Sequence, residues 1–242
     1  MSHCNFSYNH YRDILKKALK MGFIITNFRD ADKFSKKTKT IILRHDIDYL
    51  PKRALAMAKI EEKLGIKSTY FVRVHGEYYH AFDRQSYLAI KKIAELGHEL
   101  SLHSEARNLA REFKMGMVKL FRLEKEMLEK IFQLKIVSAS EHADLGRSKN
   151  YWQKHLFTLV DKKKVGIKHY PQEFQDFKYL SDSLGCWKEG CLCQNLAKFA
   201  KIQALVHPDW WGPEARQEIA SLIKKNPLVK NAKIFNSRKR KI

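Results

Sequence analysis

Cysteine is scarce in this chain, with four in 242 residues. Three of them fall close together, as Cys186, Cys191 and Cys193. Their spacing departs from the usual paired zinc pattern, and the sequence offers no evident fourth ligand, so free thiols in a reducing compartment are the expectation. Glycine and proline are few as well, at 10 and 5. No stretch rich in either marks a boundary, and there is no low-complexity linker or internal repeat. A single domain over residues 1–242, with a basic tail from about residue 230, is the simplest organisation. No apolar run approaches the roughly 18 residues of a membrane-spanning helix. The first residues, Met1-Ser2-His3-Cys4-Asn5-Phe6, lack a basic segment followed by an apolar one. That argues against a secretory signal and predicts a cytoplasmic protein. Acidic residues are the minority charge, 26 against 47 basic, for a net charge of +21.

What is present is enough for a core: hydrophobic residues make up 44% of the chain, which sets disorder aside. The basic excess lies in short runs at Lys36-Lys37, Lys162-Lys163-Lys164, Lys224-Lys225 and Arg238-Lys239-Arg240-Lys241. It predicts attraction to an anionic partner: nucleic acid, an anionic membrane surface, or an acidic or phosphate-linked substrate. No nucleic-acid reading motif accompanies the charge, so specific nucleic-acid binding is not expected.

Element types alternate along the chain. Tyr11 to Lys20 has helical periodicity. Thr40 to His45 is a short apolar, β-branched run and reads as a buried strand. Pro51 opens a helix that Gly65 closes. Lys67 to Arg73 reads as a strand, Arg84 to Leu96 as a helix and Glu99 to His103 as a strand. Leu109 to Phe132 is predicted as one long helix. Ile136 to Ser140, Lys178 to Leu180 and Ile202 to Val206 follow as strands, and a last helix covers Glu214 to Lys224. Alternation of this kind implies parallel strands with helical crossovers, an α/β fold. A closed or nearly closed (β/α) barrel is preferred over an open doubly wound sheet.

In either form, functional side chains gather at the C-terminal ends of strands. His45, Asp46 and Asp48 follow one strand, His103 and Glu105 another, Glu141 and His142 a third, and His207 a fourth. Residues i and i+2 on extended backbone point the same way, so Asp46 and Asp48 face one pocket. Two carboxylates there repel unless one binds a cation and the other acts as a base. His103 is placed to complete a site for a divalent metal.

Leu43-Arg44-His45-Asp46-Ile47-Asp48, Leu64-Gly65-Ile66-Lys67-Ser68-Thr69-Tyr70-Phe71 and Leu96-Gly97-His98-Glu99-Leu100-Ser101-Leu102-His103 resemble the opening three strands of polysaccharide deacetylases (carbohydrate esterase family 4-like). The resemblance is to the branch associated with surface-polysaccharide gene clusters. Tyr179-Leu180-Ser181-Asp182-Ser183 and Leu205-Val206-His207-Pro208-Asp209-Trp210-Trp211 extend it, so it spans roughly Tyr11 to Trp211. It implies a distorted (β/α) barrel and metal-dependent removal of an N-acetyl group from an amino sugar. By the same resemblance Asp46 is the general base, Asp48 and His103 are metal ligands, and His207 is the general acid with Asp182 orienting it. The implied cofactor is a divalent metal, zinc in the first instance.

One position departs from the family pattern. The second ligand histidine, four residues after the first, is here Arg107, which cannot ligate a cation. Glu105 and His142 are the two available replacements, His142 the preferred one; a catalytically silent carbohydrate-binding homologue is the alternative. His45 reads either as a supporting group or as packing beside Asp46, and His98 as facing away. Trp187, Trp210 and Trp211 are open to two readings, a sugar-stacking platform or packing beneath the barrel mouth. The expected partner is an N-acetylated sugar or glycan, anionic or phosphate-linked. The expected location is cytoplasmic, peripheral at a membrane.

Overall fold

A computed structural model describes residues 4–35, 37–142 and 160–225. The basic tail at Arg238–Lys241 lies outside the described residues. Among the described residues seven strands form one all-parallel sheet: β1 (Ile24–Thr26), β2 (Thr40–Ile47), β3 (Thr69–Val72), β4 (Glu99–Ser104), β5 (Ala139–Glu141), β6 (Lys178–Ser181) and β7 (Lys201–Val206). Their order is β5-β4-β3-β2-β7-β6, with β1 paired to the start of β2. Joined end to end this is the order of a barrel, and among the described residues β5 and β6 do not pair. The sheet therefore curls into a half-barrel with helices outside it.

The α-helices of the described residues are α1 (Tyr8–Lys20), α2 (Pro51–Glu62), α3 (Arg84–Glu95), α4 (Ala106–Leu109), α5 (Met117–Phe132), α6 (Lys162–Val165), α7 (Leu192–Asn195) and α8 (Ala215–Lys225). Ser7 caps α1 by accepting from His10 N at 3.1 Å, and Asp83 caps α3 by accepting from Ser86 N at 3.0 Å. Each satisfies a donor that a helix start leaves unpaired. Pro51 takes the first turn of α2, where its missing N–H costs nothing.

Strand β2 organises the molecule, and all eight of its residues are buried. Its odd-numbered residues Ile41 and Leu43 pack outward with Tyr11, Ile14 and Leu15 of α1 and Met57 of α2. Ile42, on the other face, packs with Phe28 and Phe71. The strand alternation therefore puts Arg44, Asp46 and then Asp48 on the face of Ile42, above that small aromatic plug. Burial of each large aliphatic contributes about 1.5–3 kcal/mol, so this alternation is strongly held.

Three features differ from the sequence reading. The long helix from Leu109 is two pieces, α4 and α5. The residues between them include exposed Arg111, Glu112, Phe113 and Lys114, and Lys114 adopts a positive φ of 49°. Ala110 and Met115 of this stretch still pack against the core, and Gly116 is the N-cap of α5, so tertiary packing outweighs helix propensity here. The strand foreseen from Ile136 starts only at Ala139. Val137 O instead accepts from Lys168 N at 2.7 Å, and Ser138 bridges to His169. Asp46 lies within β2 rather than after it. Among the described residues no helix is long and apolar enough to cross a membrane.

Candidate functional site

The C-terminal ends of β2, β4, β5, β6 and β7 converge on one mouth. Asp46 and Asp48 arrive from β2, His103 from β4, His142 just after β5, Asp182 just after β6 and His207 just after β7. His103 Nε2 lies 3.5 Å from Asp46 Oδ2 and 3.5 Å from Asp48 Oδ1. His142 Nε2 is 3.8 Å from the same Asp48 oxygen. His207 Nε2 is 3.8 Å from Asp48 Oδ2. The shared facing of Asp46 and Asp48 foreseen from their spacing is present.

Supporting contacts fix these side chains. The turn carrying Asp48 is pinned by Asp209, whose carboxylate accepts from the backbone N–H groups of Asp48 at 3.0 Å, Tyr49 at 3.3 Å and Leu50 at 2.7 Å. Ser140 Oγ lies 2.8 Å from His103 Nδ1, which directs Nε2 at the carboxylates. His142 donates its backbone N–H to Ser104 O at 2.9 Å, and its own carbonyl accepts from Asn108 Nδ2 at 3.2 Å. Asp182 Oδ1 holds His207 Nδ1 at 2.7 Å and also accepts from the His207 backbone N–H at 2.9 Å. Its other oxygen accepts from Trp211 Nε1 at 2.8 Å.

Arg44 is the partner the sequence reading missed. It grips Asp46 through two hydrogen bonds, Nε to Oδ1 at 3.1 Å and Nη2 to Oδ2 at 2.6 Å, and its guanidinium lies over the Phe71 ring at 4.9 Å. The signal was available, since Arg44 precedes Asp46 by the same two-residue step that relates Asp46 to Asp48. Burial alone would raise the Asp46 carboxyl, but the Arg44 charge, with His103 and His207, outweighs it and lowers it. Asp48 is likewise lowered: burial opposes ionisation, and the neighbouring imidazoles of His103, His142 and His207 overcome it. For His207 burial favours the neutral ring, yet Asp182 and the charges of Asp48 and Asp46 push it up to about 9.

The mouth suits a divalent cation. Asp48 Oδ1 is buried and has no hydrogen-bond partner. Together with one nitrogen each of His103 and His142 it forms a group whose ligand atoms all lie within 4.8 Å of one another. One carboxylate and two imidazoles are a donor set that zinc accepts, with positions left for water or substrate. Glu105, the other candidate, does not join this group. Its Oε1 accepts from Arg73 Nη2 at 2.6 Å and sits 3.5 Å from His142 Nδ1. It stands behind His142, where a carboxylate orients a ligating imidazole. Arg107 turns to Glu141, Nη1 to Oε1 at 3.0 Å, and so ties α4 to the end of β5.

His45 does not pack beside Asp46; it faces the helices, with Nε2 2.7 Å from Glu61 Oε1. His98 also faces away from the mouth, with Nε2 3.1 Å from Ala58 O. Trp210 and Trp211 are buried, at 6% and 0% exposure. They pack beneath the mouth and form no stacking platform.

No family model and no curated protein matches the sequence. Among solved structures, IcaB from Ammonifex degensii aligns with 67% of this chain and 74% of its own, at 14% identity and a TM-score of 0.48. The Streptococcus pyogenes deacetylase PplD in complex with acetate aligns over 86% and 84%, at 11% identity and a TM-score of 0.45. The chitin deacetylase from the fungal pathogen Colletotrichum lindemuthianum aligns over 85% and 87%, at 12% identity and a TM-score of 0.43. The chain is thus similar in structure, at low identity, to proteins that include a chitin deacetylase and the deacetylase PplD.

Proposed function

We propose that this chain is a metal-dependent amide hydrolase that removes an N-acetyl group from an amino sugar. The observation that carries the reading is the convergence of Asp48, His103 and His142 beside Asp46 and His207 at one mouth. Asp48, His103 and His142 would hold the metal, with zinc the first choice by donor type. When bound, such an ion polarises the amide carbonyl and lowers the pKa of a water toward 7. The chain's own side chains account for the proton movements. Asp46, ionised and fixed by Arg44, accepts a proton from the attacking water. His207, held at Nδ1 by Asp182, presents Nε2 to the mouth and gives its proton to the departing amine.

Replacing Asp182 by Asn tests the last assignment. The amide cannot hold the His207 tautomer and charge as the carboxylate does, and kcat for acetate release is expected to fall by roughly 10²-fold or more with KM little changed. An unchanged kcat would remove His207 from the proton path.

The substrate we favour is an anionic, phosphate-linked glycan precursor in the cytoplasm or at the membrane face. Its support is the net charge of +21. The tail Arg238-Lys239-Arg240-Lys241 would dock on anionic lipid, each basic residue adding about 1 kcal/mol. Flotation with vesicles containing anionic lipid is expected to recover the whole chain and at least tenfold less of a chain cut before Arg238. Equal recovery of the two would remove the tail from this role.

Arg107 supports a second reading, a carbohydrate-binding homologue without turnover, because an arginine stands where the family pattern has a ligand histidine. Sugar binding with no acetate release under any divalent metal would establish it in place of the hydrolase.

A further inference from the structure

A second set of metal-ligating side chains lies away from the mouth and is independent of it. The N-terminal segment brings Cys4 and, on the first turn of α1, His10 against the start of α7, where Cys191 is the N-cap and Cys193 lies in the helix. The Cys4 and Cys193 sulfurs are 3.3 Å apart although 189 residues separate them, and Cys191 Sγ is 3.5 Å from His10 Nε2. One ligand atom from each of the four residues lies within 4.8 Å of every other. Cys186, the third member of the sequence cluster, is exposed and outside the group.

We propose that Cys4, His10, Cys191 and Cys193 form a structural zinc site that fastens the N-terminal segment to the loop before β7. Three thiolates and one imidazole are a complete tetrahedral set for zinc. Zn–S bonds of ~2.3 Å imply sulfur–sulfur edges of roughly 3.8 Å, and the group needs only small movements to meet them. A disulfide between Cys4 and Cys193 is the competing chemistry. Its sulfurs must approach to ~2.05 Å, and it would leave Cys191 and His10 without a role.

The start of α7 is built to present the two thiols. Gln194 Oε1 accepts from Cys191 N at 3.1 Å. Asn195 Nδ2 lies within 3.2 Å of the carbonyls of Glu189, Gly190 and Cys191. Gly190 has a φ of +83°, and a Cβ there would meet Gln194 Oε1 at 2.7 Å, so a glycine is needed to let the loop close. Binding releases the thiol protons to solvent and leaves a net negative centre. Lys17 stands beside it, its Nζ donating to Cys193 O at 3.1 Å.

The test uses the full chain, reduced, stripped with a chelator and reloaded with Co²⁺ alone. Thiolate-to-cobalt charge-transfer absorption is expected in the native chain and in His142→Ala, and is expected to be lost in Cys191→Ser/Cys193→Ser. A thiol-reagent titration of the native chain needs no variant. With zinc bound, Cys186 should react at once and the other three thiols only after chelation. Absence of thiolate bands in the native chain, or equal reactivity of all four thiols with zinc present, would overturn the site. A Cys4–Cys193 disulfide in metal-loaded protein would overturn it too. The bands surviving in His142→Ala would uphold this site whatever becomes of the mouth.

Discussion

Changing Asp46 to Asn is expected to lower kcat for acetate release by about 10²- to 10⁴-fold, the range for loss of a positioned general base. That corresponds to roughly 3–5 kcal/mol of barrier. Asn keeps the volume and one acceptor for Arg44 but cannot take a proton. Asp46 is not among the three residues that would hold the metal, so metal content should stay at the native level. Arg44 is buried and loses its charged partner, so a modest fall in thermal stability is expected beside the kinetic loss. Single-turnover acetate release, with elemental analysis of the same sample, separates the two effects. Native kcat in the variant would reduce Asp46 to a counter-ion for Arg44.

The largest stability loss is expected on the other side of the sheet. Glu61 of α2 is fully buried and receives hydrogen bonds from Tyr11, from Ser68 at 2.5 Å and from Tyr70 at 3.0 Å, with His45 Nε2 at 2.7 Å. One carboxylate thus joins α1, α2, β2 and β3. Glu61→Gln replaces one acceptor oxygen with a donor that faces other donors, and breaking a buried charged network costs about 3–5 kcal/mol. For a domain of this size that is a fall in Tm of roughly 6–20 °C at neutral pH. Burial opposes ionisation of Glu61, but His45, His98 and the Ser68 hydrogen bond bring it down to about 2. Because the folded value is depressed, the stabilisation is fully present above the unfolded value of ~4.3. It is lost as pH falls through about 2. The Tm gap between native and variant chains should therefore close on acidification from pH 5 toward pH 2. A gap that is small at pH 7, or that widens in acid, would contradict the assignment.

The mouth was legible where its geometry follows from strand alternation. Asp46 and Asp48 sit two apart at the end of a buried strand, and His103, His142 and His207 each end or follow a strand, so the parallel fold alone brings them together. Arg44 obeys the same two-residue rule and was passed over because arginine is no metal ligand. Glu105 was harder to place. The backbone turns into α4 after β4, and Arg73 from the end of β3 takes the carboxylate, a contact between segments that no local pattern encodes. Cys4 and His10 were invisible for the same reason, since their partners lie more than 180 residues away. The break between α4 and α5 went unseen because the residues there carry high helix propensity, while core contacts of Ala110 and Met115 and the left-handed Lys114 set the path.

Metal-dependent amide hydrolysis at this mouth is open to a direct assay. Acetate release from an N-acetylglucosamine oligomer tests it most directly, measured on the native chain, after chelation, and after adding back a single divalent ion. Acetate is expected from the native chain, none after chelation, recovery with zinc or another divalent ion, and no recovery in His142→Ala. Oligomer binding without acetate release under any of these ions would contradict it and identify a binding protein.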